Sequence, residues 1–312
     1  MWLAGVDFRT RLDRFQIHTL NTLLIPTLYL TSGLCAFAAL HHGLAVMQGR
    51  TTRTHALFML VSVSIMVMIL AKAGAYQAET AEALVKLRKW EASAICILFV
   101  FFIWFIAEYT GFHPRRVLLA LTAFWILLFA VNLALPYGLY YDELPTLGQI
   151  DLPWGEQLND LHVSAYPTWL SVGWLGILVI MGYSVYACIL QHRVGQARKA
   201  IFLGWALGVF FASILFNLAV NWEIIDFIHL SDFGFISMVI MMDLEMTLRS
   251  RTEKRQMSDV LDRLPAAICL KDPQGRFQLV NLSFESCFHA KGTDIVGSAH
   301  WDDLPRSIIE QF

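Results

Sequence analysis

Long stretches with almost no charge recur along the chain, and that repetition constrains the fold more than any other feature. A helix needs about 20 apolar residues to cross the hydrocarbon of a bilayer. Runs of that kind are Leu20–Val46, Ala56–Tyr76, Trp90–Ala107, Val117–Tyr137, Thr168–Leu190, Ala200–Trp222 and Ile224–Met246. The last is the sparsest, with Phe233–Met242 as its main apolar stretch. Composition agrees: 57% of the 312 residues are hydrophobic and 15% charged, against roughly 45–50% and 25% in soluble globular domains. A soluble enzyme and a disordered chain are both excluded on that ground. The 23 Lys and Arg nearly balance the 25 Asp and Glu, so no electrostatic footprint suggests nucleic acid as a partner. The five cysteines form neither a disulfide framework nor a zinc pattern, and Cys35, Cys96 and Cys188 read as small hydrophobes. The expected fold is an all-α membrane bundle of seven transmembrane helices, over residues 20–248, with the lipid bilayer as its first partner.

Basic residues set the orientation, because Lys and Arg are enriched in cytoplasmic loops. With seven spans and an internal C-terminus, the inner side holds Arg50, Arg53, Arg115, Arg116, Arg193, Arg198, Lys199, Arg249, Arg251, Lys254 and Arg255, eleven in all. The outer side holds six: Arg9, Arg11, Arg14, Lys86, Arg88 and Lys89. The long segment Gly138–Pro167 has no Lys or Arg but carries Asp142, Glu143, Asp151, Glu156 and Asp160, which places it outside. Arg9 to Arg14 followed by an apolar run and Ala36-Phe37-Ala38 could be read as a signal peptide. The basic tail argues instead for an uncleaved first helix preceded by an interfacial segment at residues 1–19.

Ionisable groups inside a bilayer cost ~2.5–3.5 kcal/mol each on insertion scales, so each needs a partner or a purpose. In the outer half lie Lys72, Asn132, Asn217, Asn221 and Glu223. Asp226, His229 and Asp232 follow at three-residue spacing and are expected on one helical face. The acidic loop would fold over them, with Trp154 and Tyr166 supplying apolar surface. These residues are the candidate ligand-binding set, for a small molecule or a cation. The bland alternative is that Lys72 merely pairs with Asp226 or Asp232 and stitches helices together. Glu223, Asp226, His229 and Asp232 have metal-ligand chemistry, but one histidine among scattered carboxylates does not make a metal site, and no cofactor is expected. His41 and His42 point about 100° apart on a helix, so they read as interfacial rather than as joint ligands. Glu108, Asp243 and Glu245 read as solvated inner-end acids, with Asp243 and Glu245 preceding the basic run and Glu245 in helical range of Arg249.

Composition shifts at Leu248. Residues 249–264 read as a charged helix continuing the last span, with Met257, Leu261 and Leu264 spaced for a short two-helix seam. From Pro265 the pattern changes to strand, turn, strand, helix: Ala267–Lys271, the turn Asp272-Pro273-Gln274-Gly275, the alternating Arg276–Val280, then Asn281 and Ser283 before Phe284 and Phe288. The run from Lys271 to Phe284, and the later Asp294-Ile295-Val296-Gly297, resemble the opening of a PAS domain. In that family the turn Gly275 closes the first hairpin, Asp272 opens the turn, and Asn281 with Phe284 begins the first helices. The resemblance covers Leu261–Phe312, about half of a PAS domain and α+β in class. The last three strands are absent, which implies either a fragment of a longer protein or a partly disordered tail.

Seven spans followed by a PAS opening resemble bacterial membrane sensors of the histidine-kinase N-terminal seven-helix type. The segments Pro136-Tyr137-Gly138 and Leu152-Pro153-Trp154-Gly155-Glu156 are similar to the outer loop of such proteins. The resemblance implies a bacterial inner-membrane location, a homodimer, and a downstream histidine kinase or diguanylate cyclase. Neither output has its motifs in this sequence: there is no phosphoacceptor helix, ATP lid or GGDEF-type loop, so no phosphotransfer is expected of this chain. The expectation is therefore a sensory module that passes the presence of a small ligand through its last helix to the PAS region. The competing readings are a transporter or channel, a lipid-modifying membrane enzyme, and a ligand-free anchor that dimerises the tail.

Overall fold

The computed structural model describes residues 23–48, 53–144, 146–152, 155–162, 168–221, 224, 230–289 and 291–298. The interfacial segment expected at residues 1–19 lies outside them. The helices are α1 (Leu24–Met47), α2 (Arg53–Tyr76), α3 (Ala81–Thr110), α4 (Arg115–Ala134), α5 (Thr168–Arg193), α6 (Ala197–Asn221) and α7 (Ser231–Asp262). An antiparallel hairpin, β1 (Thr146–Asp151) and β2 (Gln157–His162), separates α4 from α5. The chain divides into two units inside α7, Met1–Asp243 and Leu244–Phe312.

Six described helices, α1 to α6, are long and apolar enough to cross a membrane. Their outward faces carry large apolar side chains, including Leu30, Phe37, Leu119, Leu127, Leu175 and Trp205, each more than 60% exposed. Water would penalise such a surface, whereas lipid tails match it. The chain is therefore a multi-pass membrane protein. The seventh expected span differs from its prediction: the helix begins at Ser231, not Ile224, and falls outside the group that length and apolarity qualify. The cause is its composition, since beyond Met242 the helix is rich in charge.

Between the helices the core is aromatic. Trp125 of α4 packs on Phe99 of α3 at 4.5 Å between ring centroids, and Phe102 of α3 meets Phe210 of α6 at 6.1 Å. Phe210 in turn lies 4.5 Å from Phe235 of α7. Gly234 makes that last approach possible, because a Cβ there would overlap the Ser213 hydroxyl and lie 3.3 Å from the Phe210 Cα. Helix α3 begins nine residues before the expected span. Thr80 caps it by accepting from the Ala83 N–H at 3.2 Å, and Gly111 ends it at φ +74°.

The acidic loop is thus a hairpin rather than a loose lid. Glu156 is buried and its Oε2 accepts the N–H groups of Leu23 and Leu24 at 3.1 and 3.0 Å. A carboxylate there satisfies orphan donors and complements the positive end of the α1 dipole. Asn159 donates to the Ala78 carbonyl at 2.9 Å, fastening β2 beyond the end of α2.

In the second unit, β3 (Cys269–Lys271) and β4 (Phe277–Val280) pair antiparallel, with an irregularity between Leu270 and Lys271. Short helices α8 (Leu282–Phe288) and α9 (Gly292–Ile295) follow. Phe277, Phe284 and Ile295 form the core, with Val280 and Phe288 against it. No Cβ penalty hinders the turn at Gly275, where φ is +82°.

Candidate functional site

At the hairpin end of the first unit, a cavity of about 360 Å³ opens among α2 to α7. Its wall contains two buried ion pairs. Lys72 Nζ of α2 lies 2.6 Å from Asp232 Oδ2 in the first turn of α7, both side chains at most 5% exposed. Arg88 of α3 donates to Glu91 at 2.8 Å, one turn along the same helix. Two charges of each sign thus balance on largely buried side chains, where an unpaired charge would be costly. The Arg88 guanidinium also stacks over the Tyr76 ring at 5.1 Å.

Aromatic groups complete the wall: Tyr140 and Tyr141 from the segment after α4, Trp169 and Trp174 from α5, and Trp125 from α4. Enclosure of the Tyr140 phenol, reinforced by the Glu91 carboxylate and opposed by Arg88, raises its pKa well above the ordinary value. It therefore stays a neutral hydroxyl. The Trp125 indole N–H is buried with no hydrogen-bond partner among the described residues. A ligand acceptor would satisfy it.

The sequence-predicted residues separate into three groups. Lys72, Asn217 and Asp232 line the cavity together. Asn217 Oδ1 accepts the Leu230 N–H at 2.6 Å and so positions the entry to α7. Asn132 is fully buried but absent from the wall. It donates to the Lys89 carbonyl and the Ser93 hydroxyl and accepts the Leu139 N–H, tying α3, α4 and the following turn. The third group falls outside what the structure describes: Trp154, Tyr166, Glu223, Asp226 and His229 are not among the described residues, and only the backbone of Asn221 is, at the end of α6. Asp232 opens α7, so a single helical face running from Asp226 to Asp232 has no support in the described helix.

Arg88 and Glu91 escaped the sequence reading, although their i,i+3 spacing next to Trp90 is a detectable signal. A second omission lies at the opposite end of the bundle. His41 Nδ1 and His42 Nε2 of α1 both approach Asp243 Oδ1 of α7, each at 3.0 Å. His42 Nδ1 also lies 2.7 Å from His55 Nδ1 of α2. His41 and His42, expected to be interfacial rather than joint ligands because they leave the helix about 100° apart, both reach one carboxylate oxygen. Asp243 is accordingly a bridged side chain rather than a solvated one, and Glu245 is buried too.

In the second unit Asn281 has no exposed surface and forms hydrogen bonds through both its side chain and its backbone. Its Oδ1 accepts the N–H groups of Ile268 and Phe284, its Nδ2 donates to the carbonyls of Leu261 and Ala266, and its backbone N–H donates to Ile268. Asp272 Oδ1 accepts the Gln274 and Arg276 N–H groups inside the hairpin turn. Residues 261–312 match the family model of the PAS fold. The PAS segment thus has both its turn and its helix start held by the residues singled out from sequence, with Phe284 in its core. No curated protein matches the chain. A PAS fold behind membrane spans points to a sensory or signalling role at a membrane.

Proposed function

We propose that the chain is the input half of a bacterial inner-membrane sensor, in which a small polar ligand enters the cavity from outside and moves α7 against the PAS segment. The observation that carries this reading is that Asp232 and Phe235, both in the cavity wall, belong to the helix that runs on to Asp262. A ligand competing for Lys72 or Asp232 would act on the first turn of that helix. To signal, it must bind two placements of α7 with different affinity, and a few kcal/mol of difference suffices.

The orientation follows from charge: the hairpin end faces out because residues 138–167 carry acids and no Lys or Arg, and α7 is the seventh crossing. Asp232 on that crossing is buried but paired with Lys72, which limits the cost of its charge. Met257 of the expected seam is 62% exposed on the charged part of α7, as is expected of a seam awaiting a second copy. The output is a histidine kinase or diguanylate cyclase working beyond this module.

The test mimics occupancy. Gly173 lines the cavity and a Cβ there meets nothing within 4 Å, so Gly173→Phe fills the space without a backbone clash. Hydrogen exchange across residues 261–298 of the purified chain should change by at least threefold relative to the parent. Identical exchange in both proteins would sink the sensor reading in favour of a ligand-free anchor, and substrate uptake into proteoliposomes would replace it with a transporter.

A further inference from the structure

Three histidines and a carboxylate from α1, α2 and α7 converge away from the cavity, and none of the four lines it. We propose that His41, His42 and Asp243 form a binding site for a first-row divalent transition metal of the Zn2+ kind, with His55 as the outer partner that orients His42.

The donor set is chemically apt. Two imidazoles and one carboxylate are the ligands that Zn2+ and its neighbours take, and three protein ligands leave a position open for water or a further group. The geometry is close to what an ion requires. One ring nitrogen of each histidine and one Asp243 oxygen lie within 4.8 Å of one another. Around a tetrahedral ion with bonds of about 2.0–2.1 Å, ligand atoms stand roughly 3.3 Å apart. The two His–Asp separations of 3.0 Å need only open by tenths of an ångström.

His55 supplies the feature that a chance cluster lacks. Metal-bound imidazoles almost always donate their second ring N–H to an acceptor, which fixes the tautomer. With an ion at Nε2, the His42 Nδ1–H would donate to His55 Nδ1, 2.7 Å away. Without an ion, His42 Nε2–H donates to Asp243 and Nδ1 accepts from His55. The same chain of rings accommodates both states by shifting protons. His42 is 1% exposed while the His41 side chain is 42% exposed, so the site is closed on the bundle side and open on the other for entry. A bound ion would replace two hydrogen bonds by coordination and fix α7 to α1.

The experiment uses the full chain, tag removed, stripped with chelator and reconstituted with Co2+ as a spectroscopic probe and then with Zn2+. One Co2+ per chain, with the visible bands of a four- or five-coordinate nitrogen–oxygen site, displaced by one Zn2+, is the expected result. His41→Ala, at a half-exposed position, and Asp243→Asn should each weaken binding at least tenfold, and His55→Ala roughly tenfold. His192→Ala, an exposed histidine in the last turn of α5, should leave it unchanged. Absence of stoichiometric Co2+, or binding that His41→Ala and Asp243→Asn leave intact, overturns the site. Because metal content is read directly, failure here is distinguishable from failure of the sensor reading.

Discussion

Lys72 and Asp232 are 160 residues apart in the chain and 2.6 Å apart in space, and their pairing joins the second helix to the start of the last. Both side chains are at most 5% exposed, so neither charge is well hydrated. Lys72→Met leaves the Asp232 carboxylate buried and unpaired, which should cost ~3–5 kcal/mol. The combined Lys72→Met, Asp232→Leu change should recover most of it, since a well-packed apolar pair is often neutral or stabilising. A double-mutant cycle in detergent, read by reversible denaturation, checks both values.

Which parts of this were legible beforehand follows from how far each signal travels along the chain. Membrane spans announce themselves within twenty residues, so α1 to α6 were legible. The PAS turn and Asn281 were legible for the same reason: the bonds from Asp272 and most of those from Asn281 close within about twenty residues. Lys72 could be recognised as needing a partner, because depth in the bilayer restricts the choice to acids at the same level. The role of Glu156 could not be, since its partners at Leu23 and Leu24 are more than 130 positions away and it reads as one more loop acid. The histidine cluster failed for a different reason. The 100° rule describes where two side chains leave one helix, and says nothing about a carboxylate that reaches both from another helix.

Glu156 gives the second prediction. Glu156→Ala removes the acceptor for two N–H groups at the start of α1 and should destabilise that end by ~1–3 kcal/mol. Hydrogen exchange at the first turn of α1 should accelerate, with exchange in α4 unchanged. Glu156→Gln keeps an acceptor and should lose less.

Gly234 gives the third. A leucine there must push α7 away from Ser213 and the Phe210 backbone. Overpacking of this kind costs ~1–3 kcal/mol or more. Gly234→Leu should also lower the melting temperature further than Gly208→Leu, because Gly208 of α6 has nothing within 4 Å of a built Cβ. Equal effects at the two positions would show that the α6–α7 crossing is not tight.

Asn281 gives the fourth. Its amide bridges the end of α7, at Leu261, to the hairpin and to the first turn of α8. Asn281→Leu would strand several buried donors and acceptors, each worth ~1–3 kcal/mol when left unmade. Protease sensitivity of residues 262–298 should rise sharply in the variant while the membrane helices stay protected. Asn281→Asp, which keeps the cap acceptor but loses the two donors, should be intermediate.

The orientation can be tested by labelling. Thr146 starts β1 and is exposed, and Val194, 76% exposed, lies in the turn between α5 and α6. Val194 is preferable to its neighbour Gly195, whose φ of +86° would strain a cysteine. The exposed Cys269 and Cys287 should first be replaced by serine, whereas Cys35 and Cys96 are buried and can stay. In intact cells with a permeable outer membrane, an impermeant maleimide should label Thr146→Cys at once. Val194→Cys should react only after the inner membrane is opened. If the order reverses, the hairpin and cavity face the cytoplasm. The ligand would then have to be an intracellular one, acting on the same ion pair from the other side.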